Sequence, residues 1–172
     1  MTITVDGSNG LTAPVGAVYN GLQQGTSQAT TSGTSITFTG IPSWVKRITV
    51  GISNFSNDGT SFVLQLGYGS TTYVATGYIG CSSRIESTGS TRNNFTTNFI
   101  LYPGPASGGF HSGTLTLVNT TGNIWALSGT IGASTGTTNT VIGGHVDVTA
   151  TLTALQFTGG TFDSGNITVL YE

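Results

Sequence analysis

Six carboxylates, two histidines and one cysteine are the chain's stock of side chains for acid–base or nucleophilic chemistry, beside four basic residues and six tyrosines. Catalysis needs polarised or titratable groups held together, so this short inventory limits the chemistry from the outset. His145 and Asp147 stand two residues apart, which puts both on one face of a strand. Such a pair could orient an imidazole or begin a metal site. No further ligand or nucleophile motif accompanies it, so the favoured reading is a polar pair at a strand end. His111 opens a separate strand. Asp58 directly precedes a turn glycine and Asp163 sits two before another. Carboxylates there bond nearby backbone, and both are assigned to turns. A glycosidase needs two acids on facing strands. Glu86 and Asp147 are acids that no motif nominates for that role. The lone Cys81 allows no intrachain disulfide and no cysteine metal cluster, and reads as a small buried or half-buried residue. The expectation is a protein that is not an enzyme, with no catalytic residues, no metal and no cofactor.

The aromatic side chains offer binding instead. Trp44 and Trp125 are the large anchors, expected to plug a core or an interface. Tyr68, Tyr73, Tyr78 and Tyr102 gather in the middle third, beside glycine-rich loops. Exposed tyrosines there could stack on sugars, which makes these four the candidate glycan or receptor contacts. Cross-strand aromatic packing is the competing and favoured reading.

Composition bounds the partners. The chain has 172 residues, enough for one domain with a real core. Net charge is −2 and only 6% of residues are charged, where an ordinary domain carries roughly 25%. No basic face exists to neutralise phosphates, so nucleic acid is not an expected partner. No apolar run approaches the roughly 20 residues that span a bilayer, and no amphipathic basic segment suits its surface. The opening MTITVDGSNG has no charged region followed by an apolar one, so no secretion signal is expected. A near-neutral surface of hydroxyls and amides invites association, which fits an oligomer or an assembly.

These residues must be positioned by strands. No window carries a sustained helical period with caps, and Thr, Val and Ile favour strands. The best-marked strand lies in Ile41–Phe55. There Lys46, Ile48, Val50 and Ile52 share one face, and Val45, Arg47, Thr49 and Gly51 the other. It is taken as the central strand. Further strand signals fall at 35–38, 61–66, 72–80, 98–102, 111–119, 123–132, 146–157 and 166–171. Turns are expected at Asn57-Asp58-Gly59, Thr88-Gly89-Ser90, Gly143-Gly144, Gly159-Gly160 and Asp163-Ser164-Gly165, among others. About eight to ten short strands with regular turns predict an all-β fold: an antiparallel β-sandwich, jelly-roll-like. Residues 1–33 are polar and read as an N-terminal arm or attachment segment; residues 34–172 read as the sandwich domain.

At Ile41–Val50, IPSWVKRITV, the sequence resembles a module of tailed-bacteriophage virion proteins, often found at the C-terminal end of tail fibres. The ending Thr161–Glu172, TFDSGNITVLYE, is similar to the way such modules close. Segments around Leu64–Gly67, Thr76–Tyr78, His111–Leu117 and Trp125–Gly129 are similar to family segments in the same order. The resemblance covers roughly residues 26–172. It implies a non-enzymatic β-sandwich on a virion surface, acting as a homotrimer and bound to other virion proteins through residues 1–33. It supplies no catalytic residues. About 25 residues precede the matched stretch, too few for a long shaft at ~3.3 Å per residue. The expectation is therefore a short tail fibre or receptor-binding appendage that contacts host surface glycan. A capsid decoration (cement) protein on the phage head is the first alternative, and a free carbohydrate-binding lectin the second.

Overall fold

Where this chain alternates apolar and polar residues, it forms antiparallel ladder. The computed structural model describes residues 21–59, 61–69, 71–104, 109–134 and 137–172, together with the backbone of 4–6 and 10–12. The expectations for the remainder of the 1–20 stretch lie outside the described residues. The strands are, in order, β1 (Thr4–Asp6), β2 (Gly10–Thr12), β3 (Gln23–Gln24), β4 (Gln28–Ala29), β5 (Ser35–Thr39) and β6 (Arg47–Asp58). There follow β7 (Phe62–Tyr68), β8 (Thr72–Tyr73), β9 (Ile79–Glu86), β10 (Gly89–Asn94) and β11 (Phe99–Tyr102). The last are β12 (His111–Thr121), β13 (Ile124–Ala133), β14 (Thr138–Asp147), β15 (Ala154–Thr158) and β16 (Thr161–Tyr171). Among the described residues there is no helix.

Two antiparallel sheets make the sandwich. The large one runs β10-β9-β14-β13-β12-β6-β16, with β3 and β4 on the outer edge of β16. The small one runs β11-β7-β15-β5, with β8 beside β11 on the same edge of β7. β1 and β2 form a two-stranded sheet of their own. Three pairings are nested: β6 with β16, β7 with β15, and β9 with β14. The first and third lie in the large sheet and the second in the small one, so the nested pairs alternate between the sheets. The β12–β13 hairpin departs from that scheme by lying between β14 and β6.

β6 is central, as the pattern of Ile41–Phe55 predicts. Ile48, Val50 and Ile52 are buried, while Arg47 is exposed on the opposite face; but the strand starts only at Arg47, and before it Val45 is buried and Lys46 exposed, the reverse of the faces expected for them. Along nearly its whole length β6 is paired with β16, from Thr161 opposite Asp58 to Tyr171 opposite Ile48. The two best-marked stretches of sequence are therefore hydrogen-bonded neighbours. The Glu172 carbonyl accepts from the amides of Lys46 and Arg47 at 2.7 and 2.8 Å, and the Glu172 amide donates to the Arg47 carbonyl at 2.8 Å. An exposed Arg47–Glu172 ion pair at 3.4 Å adds little.

The core is aromatic at its centre. Phe55 stacks on Phe62 at 4.0 Å, and Phe162 meets Phe55 edge-on at 5.4 Å. Phe157 lies 5.9 Å from Phe62. All four are at most 1% exposed, and each such ring contributes roughly 1.5–3 kcal/mol by burial.

Several local expectations are corrected. The 72–80 strand is two pieces, β8 and the start of β9, separated by residues 74–78. The 146–157 strand is the end of β14, a connection and then β15. Its alternation persists through the connection because Val148 and Leu152 still point into the core. Gly143-Gly144 is not a turn but lies within β14. Gly144 faces Gly80 of β9, and a Cβ on it would strike the Ile79 carbonyl and come 3.0 Å from the Phe95 ring. Asp163-Ser164-Gly165 is a bulged part of β16, with Gly165 at φ 99°. Among the described residues of the segment read as an arm, Gln23–Gln24 and Gln28–Ala29 pair with β16.

Candidate functional site

Two places gather polar or aromatic groups at the margin of the core. The first is built where β7 and β8 meet the end of β14. Tyr68 closes β7 and Tyr73 closes β8. The Tyr73 ring lies over Gly67; a Cβ there would be 2.9 Å from the ring, so glycine makes the room. Backbone bonds hold the floor: Val74 N–H to the Leu66 carbonyl and Thr153 N–H to the Gly67 carbonyl, both 2.9 Å. The Thr153 hydroxyl donates to the Gly69 carbonyl at 2.6 Å. Asp147 and Thr149 form the opposite wall. The Thr149 amide donates to Asp147 Oδ1 at 2.8 Å, an Asx turn that ends β14 and holds Thr149 at φ 66°. The cleft between these walls has a volume of about 490 Å³ and is also lined by Val74 and Thr76. Two half-buried phenol rings facing a carboxylate and hydroxyls can stack on a sugar face and bond its hydroxyls.

Only half of the tyrosine cluster is in this cleft. Tyr78 is 2% exposed and packs edge-on to Phe99 at 4.8 Å. Its hydroxyl accepts from the Leu66 amide at 3.0 Å, and burial pushes its pKa up to about 12. Tyr102 is 6% exposed. Neither ring has a face for an external ligand, so as glycan contacts both are corrected to core residues. Trp125 is buried in the core, and Trp44 packs on it partly buried from the turn before β6.

The second place is the inner face of the β10–β9–β14 wing. Thr91, Arg84 and Thr140 are directly paired across the three strands, and Asn93, Ser82 and Ile142 form the next row. Arg84 Nη2 contacts Glu86 Oε1 at 2.6 Å, Nη1 donates to the Pro103 carbonyl at 2.9 Å, and the guanidinium lies 5.8 Å from the Tyr102 ring centre. Tyr102 in turn lies 4.2 Å from the His111 ring. Among the described residues Ser82 Oγ, Arg84 Nε, Asn93 Nδ2, Thr140 Oγ1 and both His111 nitrogens are buried without a hydrogen-bond partner. Burial pushes the His111 pKa below its ordinary value, and Arg84 adds to this. The nearby backbone of Phe55 and Gly109, not aligned for a formed bond, works in the other direction.

The remaining candidates stay apart. His145 is exposed on the outer face, and the Asp147 carboxylate is engaged by the Thr149 amide. Glu86 pairs across to Thr138 at one end of β14, and Asp147 closes the other end. At ~3.3 Å per residue the two acids are about 30 Å apart, far beyond the reach of a glycosidase pair. Asp163 accepts from the Ser56 hydroxyl at 3.2 Å in the bulge. Among the described residues no three His, Cys, Asp or Glu side chains gather as a metal site. Sequence reasoning missed the Arg84–Glu86 pair. Its signal was present: two opposite charges two residues apart, hence on one strand face, in a chain with hardly any charges.

No protein-family model, no curated protein and no solved structure matches this chain.

Proposed function

We propose that this chain is a non-enzymatic virion structural protein of a tailed bacteriophage, a β-sandwich that acts as a homotrimer on the particle surface. Its place is a short tail fibre or receptor-binding appendage, and its Tyr68–Tyr73 cleft contacts host surface glycan. The cleft is the observation that carries the binding half of this reading: two half-buried rings, a carboxylate and hydroxyls around about 490 Å³, the mix that recognises a sugar. The resemblance of IPSWVKRITV and TFDSGNITVLYE supports the virion half, and these segments are the β6–β16 pair around which the large sheet is built. The ~30 Å between Glu86 and Asp147 supports binding without hydrolysis at those acids.

Capsid decoration is the second reading. It is favoured by Ile79, Ile85 and Val141, which are 60%, 48% and 45% exposed on the outer face of β9 and β14. Ile85 and Val141 are diagonal neighbours on that face, and adjoining exposed apolar side chains suit attachment to another protein. Gold-tagged antibody against the chain, viewed on intact particles by electron microscopy, separates the readings. Label at the tail end is the expected result. Label over the head selects decoration, and no label on any particle leaves a free lectin.

A further inference from the structure

Three glycines on the outer face of the large sheet have no use within the described chain. Gly51, Gly132 and Gly143 stand at outward positions of β6, β13 and β14, in regular register with their neighbours. None has a positive φ, and a Cβ on any of them would meet nothing within 4 Å. The inward glycines of the same sheet differ. A Cβ on Gly113 would strike the Thr130 carbonyl, and one on Gly129 the Thr114 carbonyl. Those glycines let the ladder close, whereas the outward three only weaken it. Glycine inside a strand marks a bulge, a bend or the close approach of a ligand or another backbone. At these positions the ladder is unbroken, which leaves the close approach.

We propose that this face is where copies of the chain pack on one another. The number of copies rests on the homotrimer read above; the choice of face does not.

Charge selects the occupant. Residues 79–85 of β9, 139–145 of β14, 126–132 of β13 and 112–118 of β12 are in register with one another. Their outward side chains include no acid, lysine or arginine. β6 and β16 extend the block, with charge only at the Arg47–Glu172 corner, where the two cancel. A symmetric contact sets like groups near one another about its axis, so a charged face would repel its own copy. This face has nothing there to repel. Away from that corner it also lacks a basic residue for a phosphate and an aromatic ring on which a sugar could stack.

Area fits as well. Six strands ~4.8 Å apart and seven residues of ~3.3 Å give a face of roughly 650 Å². A contact that buries such an area on two copies removes about 1,300 Å², inside the range of specific protein interfaces. The exposed Ile79, Ile85, Val118 and Val141 supply apolar contact. The small Gly, Ala, Ser and Thr positions between them let a partner lie close.

The test is size-exclusion chromatography with light scattering on the purified full chain, over a dilution series. Val141→Lys and Gly143→Thr are run beside it, with Gln156→Lys on the outer face of the small sheet as the control. A trimer is expected. Val141→Lys and Gly143→Thr should each raise its dissociation constant about tenfold or more, and Gln156→Lys should leave it unchanged. Both should keep the strand signature in circular dichroism, because residue 141 is exposed and a Cβ at residue 143 meets nothing in its own chain. Assembly should also persist in about 1 M salt, since no charge pair holds it. A trimer that survives both variants overturns this face and leaves the homotrimer standing. A dimer that both variants dissociate keeps the face and overturns the homotrimer. Assembly lost in salt overturns the proposal whatever the variants do. A monomer at every concentration overturns both readings and leaves the face to a different protein.

Discussion

The centre of the large sheet and its β9–β10 wing share one hydrogen-bonded ladder but carry opposite chemistry on the inner face. At the centre Val50, Leu115 and Val169 face Phe62, Leu64 and Phe157 of the small sheet, all fully buried. In the wing the same face presents Ser82, Arg84, Thr91, Asn93 and Thr140. The centre is held by apolar burial. The wing is held by backbone ladder, by the Arg84–Glu86 pair and by glycines that let strands close on each other. An extended sheet can thus carry its polar interior outward from a stable core, and the segment with least burial is the one expected to open first.

Breaking the centre should cost most. Phe62→Ala removes a ring that touches Phe55, Phe157 and Phe162. A loss of about 3–5 kcal/mol is expected, read as a melting temperature lower by roughly 10 °C for a chain of this size. Gly144→Ala tests the wing's closest approach. Its Cβ meets the Ile79 carbonyl and the Phe95 ring, so ~2 kcal/mol should be lost through strain. Hydrogen exchange should show that loss in β9, β10 and β14 while β7 and β15 stay protected. Equal loss everywhere would erase the distinction between the two regions.

Thr140→Val sharpens the comparison from the other side. The Thr140 hydroxyl is fully buried with no partner among the described residues. Replacing it by a methyl should gain ~1 kcal/mol in urea unfolding. A loss instead would mean that the hydroxyl serves a bound water or ligand. The fourth effect is set by pH. The folded state lowers the His111 pKa below 6.5, chiefly by burial. The unfolded chain therefore takes up the proton first. Stability is fully present above about 6.5 and falls as pH drops through that value toward the folded pKa. Urea unfolding at about pH 7.5 and about pH 5 should show the fall, and His111→Phe should reduce it.

The same comparison explains what could be read from sequence. Where the inner face is apolar, alternation marked the strands: Ser35–Thr39, Phe62–Tyr68, Phe99–Tyr102 and the β12–β13 hairpin all lie close to their expected positions. β10 and most of β9 were not foreseen, because CSSRIESTGSTRNN has no apolar inner row to reveal a period. The Gly143-Gly144 pair misled for a related reason: glycine signals turns, but here it allows strands to approach. Val148 and Leu152 misled by staying buried across a change of sheet, where Asp147 and Thr149 supply the break. For the tyrosines, alternation fixed neither burial nor partners. Tyr68 and Tyr73 share a cleft only because β8 folds back on β7, and that is a tertiary fact.

The most direct test of the central claim is binding of the purified chain to an array of bacterial surface polysaccharides, beside Tyr68→Ala and Tyr73→Ala. Saturable binding that weakens roughly tenfold in each variant, with no new reducing ends in the bound polysaccharide, is the predicted result. Binding unchanged in both variants, or polysaccharide cut by the purified chain, would contradict it.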